Sequence, residues 1–505
     1  MFPSLLAPAV AALLLSADTT IDARALSGRI DAHLAARQAR DGVRAAPLAD
    51  DAEFFRRLCL DLIGRIPTVA ELKDFLDDDR ADKRARWADE LLKGPDYVGP
   101  CAANFATRWR KLLLVQAGAN ARVVAPKLEA WLARNFRENT PYDRLVRELL
   151  TGPDGQAYYR AHDNKPANVA GSTARLFLGV KLECAQCHDD RTGAPWKRTQ
   201  FWEYAAFFGG LGGKGDGPPA RIQIPDTTTW VEGRFLDGSR PAAKPATPPR
   251  DALAEWMTRP DNPWFARAAV NRLWHDFFGT GLIDPVDGLG SADASCSHPE
   301  LLDELTRQFV AHHFDQKYLI RALVGSQAYQ RTSRLSHDSQ KDPRHFARAA
   351  VRGLQPEQLY RSLLTATGFR PELASAPSGP DQRFGRSSPA GRFLAHFNDP
   401  HEEPIAAQTS IQQALFLMND RLMDDATSLR GSPVLAAVAK AGGKRSTAQQ
   451  VEELYLAVLS RPPRPEESER LVRYVETYGA ARDRTVALCD IFWALLNNSE
   501  FALQH

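Results

Sequence analysis

The chain has 505 residues, 44% hydrophobic and 25% charged, with a formal net charge of +2. That balance is ordinary for a globular protein and gives no case for a nucleic-acid footprint. The length allows roughly two to four domains with real cores, and six cysteines in 505 residues exclude a disulfide framework.

At the N-terminus an apolar run from Leu5 to Leu15 is followed by Ser16-Ala17 and a polar segment from Asp18. It reads as a secretory signal peptide, residues 1–17, although no Lys or Arg precedes it; the competing reading is a buried N-terminal helix. The run is too short to span a bilayer and no later segment is apolar enough, so no transmembrane span is expected in the mature chain. Residues 18–48 form a helical lead. From 49 to 210 helical signals dominate: Thr68-Val69-Ala70-Glu71 after Pro67 is a capping box, followed by helices through Trp87 to Leu92, Asn104 to Val115, Leu128 to Phe136 and Tyr142 to Leu150. Gly171 to Leu182 then reads as an apolar helix running straight into Cys184. Cys59 and Cys489 sit in apolar stretches and read as buried, inert thiols; Cys101 and Cys296 are compatible with a bridge in an exported chain.

Cys184-Ala185-Gln186-Cys187-His188 carries the most chemistry. Two thiols three positions apart, followed at once by an imidazole, form the attachment signature of a c-type haem. Each thiol can form a thioether to one vinyl group while His188 is held under the iron as axial ligand. The same residues suit a zinc site lacking its fourth ligand, or a redox dithiol. Trp196 and the aromatics from Phe201 to Phe208 are expected to shield one edge of the haem. His162 is the distal-ligand candidate; Met418 reads as core.

Residues 211–249 are Gly- and Pro-rich, with β-type alternation between Arg221 and Phe235, and read as a linker with at most a short hairpin. From 250 to 505 helices resume: 251–257, 264–278, 297–313, 317–326, 356–367, 411–423, 448–459, 465–474 and 486–497. Ser297-His298-Pro299-Glu300 reads as a second capping box, His298 belongs to that helix start, and His275 to a packed helix. His396 to Glu403 gathers two imidazoles and three carboxylates in a Pro-punctuated loop, either a hard-metal site or a solvated cap.

Phe54-Phe55-Arg56-Arg57-Leu58-Cys59-Leu60-Asp61-Leu62-Ile63-Gly64-Arg65-Ile66-Pro67-Thr68, with Phe177 to Glu183 leading into the cysteines, resembles the cytochrome-like domain of unknown function abundant in planctomycetes. Asp261 to Arg267, Val270 to Trp274, Phe277 to Leu282, Ser297 to Leu302, Gln413 to Asn419 and Trp493 to Phe501 resemble its usual companion domain, also of unknown function. The resemblance implies an exported, mainly helical, cytochrome-like protein and leaves its role open. It also implies a departure: relatives commonly carry a histidine where this chain has Asp190, so a hard oxygen donor replaces an imidazole.

No Gly-x-Ser-x-Gly, His-Glu-x-x-His or Gly-Lys-Ser/Thr motif is present. The expectation is therefore a mainly α protein of two helical domains, exported to an extracytoplasmic compartment. It is expected to bind haem c through Cys184, Cys187 and His188 and to exchange electrons with a redox partner protein. The alternatives are a haem-free enzyme holding zinc or another divalent metal through Cys184, Cys187, His188 and Asp190, or through Asp399, His401, Glu402 and Glu403, and a non-catalytic exported binding module. Whether the chain is an enzyme, and its oligomeric state, are left open by the residues.

Overall fold

A computed structural model describes residues 20–115, 117–189, 196–211, 220–241, 247–291, 294–370, 389–397, 421–441, 444–481 and 483–505. The signal-peptide segment 1–17, Asp190, Asp399, His401, Glu402, Glu403 and Met418 lie outside them.

The described residues are mainly helical. The first half holds α1 (Ala23–Arg40), α2 (Asp51–Ile63), α3 (Val69–Leu76), α4 (Lys83–Lys93), α5 (Val98–Leu113), α6 (Ala121–Glu138), α7 (Tyr142–Thr151), α8 (Gln156–Ala161), α9 (Pro166–Leu178) and α10 (Arg198–Ala205). After the linker come α11 (Pro249–Met257), α12 (Phe265–Phe278), α13 (Pro299–Ala311), α14 (Gln316–Gly325), α15 (Gln327–Gln330) and α16 (Pro356–Thr367). Then follow α17 (Pro389–Phe397), α18 (Arg421–Thr427), α19 (Pro433–Lys440), α20 (Thr447–Leu459), α21 (Pro465–Ala481) and α22 (Arg484–Leu496). The linker hairpin forms as β1 (Arg221–Gln223) against β2 (Trp230–Glu232), with Ile222 opposite Val231. Two further pairs join β3 (Ile283–Asp284) to β4 (Ser295–Cys296) and β5 (Arg352–Gly353) to β6 (Leu503–Gln504). No helix of the described residues is long and apolar enough to cross a membrane.

Helix α2 organises the packing. Asp50 caps it by accepting from the Glu53 N–H at 2.8 Å, and every residue except Asp51 is buried. Buried on every face despite its charged residues, α2 lies where two hydrophobic cores meet. Phe54, Phe55, Leu58, Cys59, Leu62 and Ile63 join a core that runs from α1 to Phe346 and also takes in Leu456, while Leu60 joins a second core that holds Ile66 and residues from Leu354 to Phe501. The packing boundary therefore falls near residue 350, beyond the linker. Helix α1 follows the same logic: Ser27 Oγ donates to the Ala322 carbonyl at 2.8 Å, and a Cβ on Gly325 would stand 2.6 Å from that hydroxyl. The lead segment is thus bound to helices C-terminal to the linker.

Helix α2 ends at Gly64, whose φ of 69° is left-handed and whose added Cβ would lie 2.4 Å from Asn104 Oδ1; only glycine fits both demands. The capping box of Thr68 and Glu71 forms as expected. The one expected at Ser297 does not. Ser297 is held back by Leu282, whose carbonyl accepts both its N–H at 2.7 Å and its hydroxyl at 3.2 Å, so His298 becomes the N-cap of α13 without a side-chain bond. Cys101 and Cys296 are both free rather than bridged, and burial pushes the Cys101 thiol up to about 12.

Three histidines give the fold an acid limit. Burial lowers His275, His298 and His505 to about 4, below the ordinary 6.5. Between pH 6.5 and 4 the unfolded chain takes up protons at these rings that the folded chain refuses, so stability is lost as pH falls through that window and is fully present above it. Urea midpoints at pH 7 and pH 4.5 should differ accordingly; equal midpoints would contradict the buried neutral rings.

Candidate functional site

Helix α9 does not run into the cysteines. It stops at Gly179, left-handed at φ 64°, where a Cβ would meet Leu289 Cδ1 at 2.8 Å. Val180 then forms a β-bridge to Gly288, and the motif occupies a separate 3₁₀ turn, Glu183–Gln186, followed by Cys187 and His188. Ending the helix early turns the motif outward: Cys184, Cys187, His188 and Asp189 are exposed, and both thiols are free.

Three contacts fix the turn. Ala185 is fully buried in the main core. The Trp202 indole N–H donates to the Gln186 carbonyl at 3.0 Å, and Asp189 Oδ1 accepts from the Arg198 N–H, at the start of α10, at 2.9 Å. His188 Nδ1 lies 2.8 Å from the Asp189 carbonyl, which can only accept. Nδ1 therefore donates, which leaves Nε2 as the ring nitrogen open to a metal. Trp202→Phe keeps the ring and removes the N–H, so a loss of about 1 kcal/mol is expected in thermal melts; an unchanged midpoint would mean the bond does not hold the turn.

The expected aromatic shield has another employment. Phe201, Tyr204, Phe207 and Phe208 are core residues, and Phe207 stacks on Phe235, which stacks on Trp256. Trp202 is the aromatic seen to touch the motif, through its N–H. Trp196 is also buried, and its N–H has no partner among the described residues. His162 is buried at the end of α8, its Nε2–H donating to the Leu113 carbonyl at 3.0 Å, and burial lowers its pKa. Among the described residues no group of three or more His, Cys, Asp or Glu side chains is placed to hold a metal ion. Cys184, Cys187 and His188 thus share a turn without converging on one point, and the alternative ligands lie outside the described residues.

A second polar constellation was not anticipated. Asp61 on α2 is fully buried and accepts from the Tyr329 hydroxyl at 2.8 Å and from Arg352 Nη2 at 3.0 Å, with Arg108 Nη2 at 3.8 Å. Arg352 also donates to the Asp276 carbonyl. One turn earlier, Arg57 pairs with Glu53 at 2.8 Å and donates to the Arg331 carbonyl at 2.9 Å, while Glu53 accepts from Thr332 and Ser333. The visible clue is local: Arg56, Arg57 and Asp61 interrupt an apolar run that buries every face, and buried charges need partners.

Residues 29–212 match the family model PSCyt2, described as a protein of unknown function (DUF1549), and residues 249–475 match PSD1, described as a protein of unknown function (DUF1553). No curated protein and no solved structure matches the chain. The chain thus joins a region similar to the first of these families, which holds the Cys184–His188 turn, to a region similar to the second.

Proposed function

We propose that Cys184 and Cys187 anchor one c-type haem, that His188 Nε2 is its axial ligand, and that the protein transfers electrons outside the cytoplasm. The observation that carries this reading is the turn itself: two exposed, unbridged thiols beside an exposed imidazole whose Nδ1 is engaged by the Asp189 carbonyl. A zinc ion requires its ligands gathered around one point, with Zn–S near roughly 2.3 Å. A c-type haem is held by thioethers at two separate vinyl groups, so its two thiols need not meet at one point.

Bound haem would supply one-electron chemistry at its iron. The chain's own residues do the rest. Ala185 and the Trp202 N–H hold the turn against the core, and the Asp189 carbonyl holds the His188 proton on Nδ1. The exposure of Cys184, Cys187 and His188 would leave a group held there accessible to a docked redox partner protein.

Made in a host with c-type maturation, the protein should retain haem through denaturing electrophoresis. Cys184→Ala with Cys187→Ala should abolish that retention, and each single variant should weaken it. Retention in the double variant, or a colourless wild-type protein with stoichiometric zinc, would overturn the reading.

A further inference from the structure

Away from the cysteine turn, a cavity of about 60 Å³ lies between α5, α12, the start of α16 and the β5–β6 pair. Its walls include Arg108, Lys111, Asp276, Arg352, Glu357 and Gln504. Arg352 and Gln504 are direct cross-strand partners, so their side chains leave the same face of the pair. Gln504 is only 4% exposed, yet its Nε2 has no acceptor among the described residues, and neither does Arg352 Nε. Buried donors left without acceptors are costly, and two of them on residues lining one cavity ask for an oxygen-rich guest.

The charges narrow its class. Lys111 and Glu357 neutralise one another at 2.5 Å, and Arg352 is paired with Asp61 at 3.0 Å. Arg108 reaches Asp61 only at 3.8 Å, so it retains donors for an anion. Asp276 supplies the opposite function: it is half-buried, its carboxyl pushed up by burial, and it is the cavity's acceptor for a hydroxyl. We propose that this cavity binds a small 2-hydroxycarboxylate, with its carboxylate on Arg108, Arg352 Nε and Gln504 Nε2 and its hydroxyl donating to Asp276. Charge-assisted bonds at one end and a positioned acceptor at the other give both affinity and selection.

Calorimetric titration of the full chain with lactate, propionate and inorganic phosphate tests this. Lactate should bind about tenfold more tightly than propionate, the worth of one well-placed hydrogen bond, and phosphate should bind no better than propionate. Arg108→Gln should weaken lactate at least tenfold, and Asp276→Ala should erase the lactate-to-propionate ratio, which a merely structural effect would leave intact. Absence of binding by all three, preference for phosphate, unaltered affinity in Arg108→Gln, or persistence of the ratio in Asp276→Ala would each overturn the proposal.

Discussion

Asp61→Ala should cost about 3–5 kcal/mol of stability, the range for breaking a buried ion pair by removing one partner. Asp61 is the only carboxylate placed on Arg352 within 4 Å among the described residues, and it also accepts the Tyr329 hydroxyl. Alanine would strand a guanidinium and a phenol in surroundings that already push the Tyr329 hydroxyl well up through burial. Asp61→Asn retains an acceptor but no charge, so its cost should be intermediate. Urea unfolding followed by tryptophan fluorescence measures both; a loss under about 1 kcal/mol for the alanine variant would show that the network is not needed to join α2 to β5.

Arg56→Met should have a similar effect by a different route. Arg56 is 1% exposed, and burial brings its guanidinium down to about 10. Its bonds go to neutral groups: the carbonyls of Val458 at 3.2 Å, Glu500 at 3.4 Å, Phe501 at 3.0 Å and Leu503 at 3.4 Å, and the Ser460 hydroxyl at 3.3 Å. Methionine fills much of the volume but removes the donor from the carbonyls of Val458, Phe501 and Leu503, while that of Glu500 keeps the Leu503 N–H, each carbonyl left unpaired costing about 1–3 kcal/mol if water cannot enter. With partial relaxation the expected loss is about 3–5 kcal/mol. Because the acceptors lie at the end of α20 and around β6, hydrogen exchange should accelerate most at residues 458–461 and 500–505. Unchanged protection there would contradict the role given to Arg56.

Much of this was legible in the residues. Periodicity and capping located most helices, and the apolar stretch around Cys59 marked its thiol as buried, while the helix that carries it, α2, is a finding of the structure. Gly179 sits inside an apolar stretch whose periodicity runs on to Leu182, yet its left-handed backbone stops α9 there. The Ser297 capping pattern failed because a strand contact to Leu282 claimed the serine first. The Asp61 network was invisible for a plainer reason: Tyr329 and Arg352 reach Asp61 from 268 and 291 positions away, and no local pattern encodes such a meeting. The same holds for the cavity, whose walls come from residues 104 to 504. The cysteine turn was the reverse case: its five residues are consecutive in the chain, and the fold adds that the thiols and the imidazole stand exposed on a separate turn.

The most direct measurement is the visible absorption spectrum of the full chain, reduced in alkaline pyridine, after production in a host that attaches c-type haem. Cys184 and Cys187 acting as proposed give the pyridine spectrum of a doubly thioether-linked haem at one equivalent per chain, not extracted by acidified organic solvent. A protein from that host without such bands, its thiols fully titratable, would contradict the assignment.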